Sequence, residues 1–149
     1  MTNIINDQNT RKKKNTKEIG NKGESIASFF LEKHGFKVIY RNYRKTYGEI
    51  DIVAEKKGIV HFIEVKSVSC RTFPNVSLFK EGNVNRETDI YRPEDNVHKH
   101  KLKRLERVIQ TYILENRLQE REWVFDVITV HMNKELRLSR VFFIGNLTL

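Results

Sequence analysis

The sequence predicts an α/β protein with a mixed central sheet flanked by helices. Two segments carry the apolar spacing of amphipathic helices, and several shorter segments are rich in β-branched and aromatic residues. Their order along the chain is α-β-β-β-α-β-β, and such mixing of helices and strands favours one sheet covered by helices. A chain of 149 residues is long enough to bury a substantial core in one domain.

The N-terminal segment differs in composition from the rest of the chain. Residues 1–17 are polar, offer little apolar surface to bury, and include a block of four basic residues, Arg11, Lys12, Lys13 and Lys14. We therefore predict a disordered basic arm over residues 1–17 and a single domain over residues 18–149. The arm is suited to phosphate contacts, and a solvated tail without a role fits the same composition.

A first helix is predicted over residues 21–34, because apolar residues recur there at helical spacing and a glycine follows. Glu24 precedes Ala27 by three positions and Leu31 by seven. Its carboxylate should therefore lie at the edge of the buried stripe of this helix.

A first strand is predicted over residues 36–43, followed by a hairpin over residues 48–67. Side chains alternate along a strand, so a two-residue Lys-Gly turn would place Asp51 directly opposite Glu64 on one face. A four-residue turn would shift the pairing but keep both carboxylates on that face. A three-residue turn would break the arrangement.

The second half of the chain begins with residues 68–93, which have no clear period and hold both prolines, so we predict a long loop. An amphipathic helix follows over residues 94–118, with a basic first half. Strands are predicted over residues 123–132 and 136–144.

Within the strand predicted over residues 123–132, we interpret Asp126 as a structural partner of an arginine.

The charge of the chain indicates the class of its partners. Lys and Arg number 28 against 19 Asp and Glu, which gives a net charge of +9 and favours nucleic acid ahead of an anionic membrane. Cys70 is the only cysteine, so no intramolecular disulfide can form and a reducing compartment is indicated. No apolar signal-peptide core or membrane-length run occurs, so we predict a cytoplasmic protein with no membrane partner.

The hairpin carries the candidate chemistry. Like charges directly opposite each other destabilise a sheet, and a divalent cation between Asp51 and Glu64 would remove that penalty. Lys66 lies two residues beyond Glu64 on the same face, about 7 Å along the strand, within reach of a water or phosphate oxygen. This pattern suits metal-assisted phosphodiester hydrolysis. An ordinary hairpin with a solvated polar face is the alternative, and the in-phase placement beside Glu24 favours the site.

Four short motifs extend this interpretation: GESIA (23–27), GEIDIVA (48–54), FIEVKS (62–67) and FDVITV (125–130). Together they resemble a small bacterial family of predicted endonucleases related to archaeal Holliday junction resolvases. That family belongs to the PD-(D/E)xK, or restriction-endonuclease-like, superfamily. The resemblance covers roughly residues 18–132.

The resemblance implies a restriction-endonuclease-like core in the order α-β-β-β-α-β and catalysis with a divalent metal, Mg²⁺ or Mn²⁺. Asp51 and Glu64 would be metal ligands, Lys66 the catalytic lysine, and Glu24 the helix carboxylate near the metal. The chain departs from the family pattern at residues 68–91, which are longer than the short loop usual after E-V-K.

We therefore predict a metal-dependent endonuclease that hydrolyses phosphodiester bonds in DNA, with branched or structured DNA among its candidate substrates. The alternative is a non-catalytic nucleic-acid-binding protein that keeps the nuclease fold, and an assembly protein is a third reading. The sequence leaves open whether the chain forms a homodimer. Candidate DNA contacts are Arg41, Arg44, Lys45, Lys99 and Lys103.

Overall fold

The computed structural model of the chain describes residues 3–73, 79–81 and 96–149, with side chains over 10–73 and 100–149. These residues form one mixed sheet of six strands in the order β1-β2-β3-β5-β6-β4. The elements are α1 (Asn3–Lys33), β1 (Lys37–Lys45), β2 (Gly48–Lys56), β3 (Ile59–Ser69), β4 (Phe79–Glu81), α2 (Asn96–Glu115), β5 (Trp123–Asn133) and β6 (Leu138–Leu147). The α/β class predicted from the sequence is confirmed.

The β2–β3 hairpin sets the geometry of the candidate site. Its strands pair antiparallel from Lys56↔Ile59 to Ile52↔Ile63. Lys57 and Gly58 both have positive φ, 50° and 81°, so they form the two-residue turn whose twist matches the flanking strands. The predicted register is confirmed, and its continuation brings Asp51 toward Glu64.

Strand β3 joins this hairpin to the rest of the sheet, because it also pairs with β5 in parallel. Parallel neighbours need a crossover connection, and helix α2 lies on that connection. Strand β3 therefore lies inside the sheet, with β2 on one side and β5 on the other. Its first residues pair with both neighbours, and Glu64 and Lys66 continue the pairing with β5 alone, so the site residues lie on a regular, hydrogen-bonded strand.

Each face of the sheet is covered by one helix. Leu105, Val108 and Ile109 of α2 pack with Val53 and Phe62 on one face. On the other face, α1 contributes apolar residues to a second core cluster: Ala27 and Leu31 pack with Ile52, Ala54 and Ile63. Alternate residues of β2 and β3 therefore enter different cores, as a buried sheet with period-two side chains requires.

Helix α1 begins much earlier than predicted. It runs from Asn3 to Lys33, so residues 3–17 of the segment predicted to be a disordered arm are instead its first part. No proline or glycine interrupts the sequence before Gly20, and lysine and arginine are good helix formers. Residues 10–18 of this helix are exposed, and from residue 10 onward the first partly buried apolar residue is Ile19.

The loop predicted over residues 68–93 also differs where it is described. Strand β3 continues to Ser69, and the short strand β4 lies within the predicted loop, paired in parallel with β6. The sequence shows no clear period around β4, because three residues are too few to display one. The rest of that loop, residues 74–78 and 82–93, lies outside the described residues.

Among the helices of the described ranges, none is both long and apolar enough to cross a membrane.

Candidate metal and nucleic-acid site

Asp51 lies on β2 where the hairpin ladder ends. The described pairing stops at Ile52↔Ile63, and the carboxylate Oδ2 of Asp51 then accepts a hydrogen bond from the backbone N–H of Val65 at 2.8 Å. A side chain thus takes the place of a ladder acceptor. Asp51 is only 7% exposed, so its carboxylate is fixed against β3 and away from bulk water.

The environment of Asp51 opposes a negative charge. Burial is the largest cause that raises its pKa, and the nearby carboxylate of Glu64 is the next. Glu24 and Glu49 raise it further, while the hydrogen bond from Val65 lowers it, and the pKa reaches about 7. A group in such a setting gains free energy from any cation placed beside it.

Glu64 and Lys66 lie on β3, and alternation puts them on the same side of the strand. Glu64 is also 7% exposed, and its Oε1 accepts a hydrogen bond from Nζ of Lys101 on helix α2. Burial lowers the pKa of Lys66, the positive charge of Lys101 lowers it further, and Glu64 acts in the opposite direction. Two lysines therefore flank one buried carboxylate.

Glu24 belongs to α1, which covers the face of the sheet opposite to α2. Its Oε2 accepts a hydrogen bond from Nδ2 of Asn42 at 3.0 Å and lies 3.9 Å from Nη2 of Arg41. Asn42 itself lies on β1 between Arg41 and Tyr43, which pair with Ile52 and Ile50 on either side of Asp51. The structure thus places the candidate residues Glu24, Asp51, Glu64 and Lys66 on neighbouring elements around the end of the hairpin ladder.

Asn42 is a site residue that sequence reasoning missed. Its φ of 55° is in the left-handed region, just past a register shift between Val38 and Tyr40 in β1. Asparagine tolerates this conformation better than most residues, and it is depleted in regular strands. An asparagine inside a predicted strand was therefore the available signal for an irregular backbone at this point.

Gly23 fixes how closely α1 approaches the site. A Cβ at this position would lie 1.7 Å from the Oγ and 2.8 Å from the Cβ of Ser67, directly after Lys66. Only glycine allows this approach, which places Glu24 next to β3. In the same way, a Cβ on Gly48 would lie 2.9 Å from Val108 Cγ2 and 3.5 Å from the carbonyl oxygen of Arg104, so α2 crosses close to the start of β2.

We expect Gly23→Ala to lower the free energy of unfolding by about 1–3 kcal/mol, because the added methyl must displace the backbone of α1 from β3. Gly20→Ala is the matched control, since nothing lies within 4 Å of a Cβ there. It should stabilise the same helix by up to ~1 kcal/mol through helix propensity. Urea denaturation of both variants measures the difference. Equal stability of the two would contradict the close-contact interpretation.

A cleft of about 440 Å³ opens beside these carboxylates. Glu64 forms part of its wall, and four cationic residues also line it: Arg44, Lys45, Lys101 and Arg104. Such a wall is suited to a phosphate backbone lying next to a buried carboxylate. Lys103 lines a shallower depression with His100, Arg104 and Arg107.

The cationic residues predicted to contact DNA form different ion pairs in the structure. Arg44 pairs with Glu49 at 3.0 Å, and Lys45 pairs with Glu115 at 2.7 Å. Arg41 lies toward Glu24, away from the cleft wall. Lys99 belongs to α2, and its side chain lies outside the described residues.

Asp126 has a structural role with a partner that was predicted wrongly. Its Oδ2 lies 2.5 Å from Nδ1 of His61, and its Oδ1 accepts a hydrogen bond from the backbone N–H of Asn146 at 2.8 Å. The partner is a histidine because β3 and β5 pair in parallel, which brings His61 beside the strand that carries Asp126. His61 and Asp126 both lie on the face of the sheet opposite to the face that carries Glu64.

Comparison with known proteins places these motifs in a family. The family model that describes the sequences of the uncharacterised protein family UPF0102 matches residues 23–130 of this chain. These residues span all four motifs from GESIA to FDVITV. The chain belongs to the UPF0102 family. This small bacterial family is part of the restriction-endonuclease-like, Holliday junction resolvase-like superfamily, so the resemblance seen in the sequence is confirmed.

Individual UPF0102 proteins match between 78% and 91% of the chain. One from Caldanaerobacter subterraneus subsp. tengcongensis is 34% identical over 136 residues, covering 91% of this chain and 98% of the relative. Another, from Alkaliphilus metalliredigens, is 34% identical over 126 residues, covering 85% and 96%. A third, from Dictyoglomus turgidum, is 33% identical over 116 residues, covering 78% and 84%.

Proposed function

We propose that this UPF0102 protein is a divalent-metal-dependent endonuclease that hydrolyses phosphodiester bonds in DNA. The observation that carries the proposal is the pair of buried carboxylates, Asp51 and Glu64, on adjacent strands with Lys66 beside them. Buried like charges without a purpose are costly, and a site for a cation accounts for both.

The residues present fit Mg²⁺ or Mn²⁺. No cluster of three or more His, Cys, Asp or Glu able to hold a metal occurs among the residues that the structure describes. Mg²⁺ is commonly held by one or two carboxylates together with water and substrate phosphate, so Asp51 and Glu64 suffice as its protein ligands. When bound, such an ion polarises a phosphoryl oxygen and lowers the pKa of a water.

The remaining roles belong to groups of the chain itself. The Lys66 ammonium, partly buried beside Glu64, can donate to a non-bridging phosphate oxygen and stabilise the negative charge that develops there. Glu24, held by Asn42, adds a third carboxylate beside Asp51 and orients polar groups around it. Because these side chains come from α1, β2 and β3, the site is built on rigid elements.

The charge distribution supports DNA as the substrate. The cleft beside Glu64 is lined by four cationic residues, and the exposed first part of α1 carries the block Arg11, Lys12, Lys13 and Lys14. Gly23 packs at Ser67 near the end of β3, and Gly35, just after α1, lies near Lys56, which pairs with the start of β3. Helix α1 therefore runs antiparallel to β3, and its first part extends past the end that follows Lys66. A polyanion reaching the site would meet positive charge on both sides.

A second function, DNA binding without cleavage, is favoured by one observation. Nζ of Lys101 already donates a hydrogen bond to Oε1 of Glu64, which is a proposed metal ligand. A protein that only binds nucleic acid could use Lys101 permanently in that position. The two functions differ in whether a divalent ion can bind.

The test is cleavage of a DNA panel with Mg²⁺, Mn²⁺ or a chelator, using duplex, single-stranded, flap and four-way-junction substrates. We expect cleavage of at least one substrate only with metal, and its loss in Asp51→Ala and Glu64→Ala, which should still bind DNA in a mobility-shift assay. Glu55→Gln is the matched control, because this carboxylate of the same strand pairs instead with Arg121 at 3.1 Å.

Two results would contradict the nuclease proposal. One is the absence of Mn²⁺ binding by calorimetry together with DNA binding, which would support the non-catalytic alternative. The other is equal cleavage by the wild type, Asp51→Ala and Glu64→Ala, which would assign the activity to a contaminant.

A further inference from the structure

Helix α2 delivers one lysine to the carboxylate pair. The side chain of Lys101 is about half exposed, and its Nζ donates to the buried Oε1 of Glu64. The helix that carries it is held close to β2, where Gly48 lies against Val108 and the Arg104 carbonyl. The position of this ammonium is therefore set by the packing of α2 on the sheet.

We propose that Lys101 is an exchangeable counter-ion: its ammonium neutralises Glu64 in the metal-free protein, and a divalent cation displaces it into the cleft, where it contacts substrate phosphate. This inference rests on the proposed function. It assigns to Lys101 a positioning role that the hydrolysis scheme above does not include.

The physical basis is competition for one carboxylate. A buried carboxylate needs a positive partner, and a divalent cation held by Glu64 would compete with the Lys101 ammonium that now donates to it. Two ligands that exclude each other lower each other's apparent affinity by the same factor. The ammonium therefore sets how much metal is needed to load the site.

The surroundings show where the displaced ammonium would go. Lys101 is exposed on the cleft side, and it lines the cleft together with Arg44 and Arg104. After leaving Glu64, its flexible side chain remains beside these cations. An added cation there strengthens contact with a DNA phosphate, so metal loading and substrate binding would support each other.

The test is Mn²⁺ titration by calorimetry on the full chain without DNA. Lys101→Met keeps an unbranched side chain of similar length but removes the charge, and we expect Mn²⁺ to bind it about tenfold more tightly than wild type, within the usual range of coupling between ligands. Lys134→Met removes the same charge from the exposed turn between β5 and β6, without the Glu64 contact, and its Mn²⁺ affinity should stay near that of wild type.

A second variant at the same position controls for misfolding of Lys101→Met. Lys101→Arg keeps the charge and the contact with Glu64, so it should bind Mn²⁺ no more tightly than wild type. With saturating Mn²⁺, Lys101→Met should bind DNA more weakly than wild type, because the displaced ammonium is missing.

The outcomes separate this inference from the proposed function. Equal Mn²⁺ affinity in wild type and Lys101→Met, with normal folding by circular dichroism, would overturn the exchange while leaving the metal site in place. Tighter binding by both Met variants or by Lys101→Arg would also overturn it, since overall charge or the altered helix would then be the cause. Absence of Mn²⁺ binding in wild type and all three variants would overturn both.

Discussion

Replacing Lys66 with Ala is expected to lower the rate of DNA cleavage by ~10²–10³, the usual effect of removing one group that stabilises charge in the transition state. DNA affinity should change little, because it is spread over many Lys and Arg contacts to phosphate. Metal affinity should not weaken, because Lys66 is a cation beside Glu64 and its loss removes repulsion. The variant should therefore separate cutting from binding.

The measurement is single-turnover cleavage at saturating Mn²⁺, together with mobility-shift titrations at several salt concentrations. Lys134→Ala is the control, because this lysine lies in the exposed turn between β5 and β6. It should cleave at the wild-type rate. In both variants, DNA affinity should fall steeply as salt rises. Cleavage by Lys66→Ala at the wild-type rate would remove Lys66 from the mechanism, and salt-independent binding would argue against a phosphate interface.

Asp51→Asn is expected to stabilise the metal-free protein by about 2–4 kcal/mol at pH 8 and by little at pH 4, while abolishing Mn²⁺ binding. The pKa of Asp51 rises from its ordinary value of 3.8 to about 7 in the folded protein, chiefly through burial and then through Glu64. Below pH 4 the carboxyl is protonated in both states and contributes no difference. Asparagine cannot ionise, so it avoids the cost at every pH.

The direction in which stability changes with pH follows from how many protons the folded and unfolded states bind. Between about pH 4 and pH 7 the unfolded chain releases the Asp51 proton and the folded chain retains it, so this group lowers wild-type stability as pH rises. Above pH 7 both states are ionised, and the full cost of a buried charge beside Glu64 remains. The advantage of Asp51→Asn should therefore appear across this window and then level off.

Urea denaturation with a chelator at pH 4, 6 and 8 checks this prediction. Glu55→Gln is the control, because its carboxylate is partly exposed and paired with Arg121. Its effect on stability should be small at all three values. Added Mn²⁺ should stabilise wild type and leave Asp51→Asn unchanged, since only a state that binds the ion gains from it. A constant difference between Asp51→Asn and wild type from pH 4 to pH 8 would contradict the raised pKa.

Local rules explain why so much of the hairpin could be predicted. Glycine at the second position suits a two-residue turn, which was one of three turn lengths considered, and with that turn alternation puts Asp51 and Glu64 on one face. Each step depends only on neighbours in the chain. The motifs within residues 23–130 added the family, and with it the expectation of a helix carboxylate at Glu24.

Contacts between distant elements could not be predicted in this way. The sequence offers several cations in the first half of α2, and nothing in their spacing distinguishes Lys101 from Lys103. The close crossing of α2 over Gly48 decides which of them reaches Glu64. The same holds for His61 beside Asp126, which depends on the parallel pairing of β3 with β5.

The sequence by itself determined the α/β class and the identity of the carboxylates and lysine on the hairpin strands, because side-chain alternation is a local property. It left three turn lengths open, and the structure selected the two-residue turn that sets the register. Only the tertiary structure decided the pairing of the short strand β4 with β6, the hydrogen bond from Asn42 to Glu24 and the contact of Lys101 with Glu64. These features depend on how separate elements pack, and many sequences with the same local pattern could pack them differently.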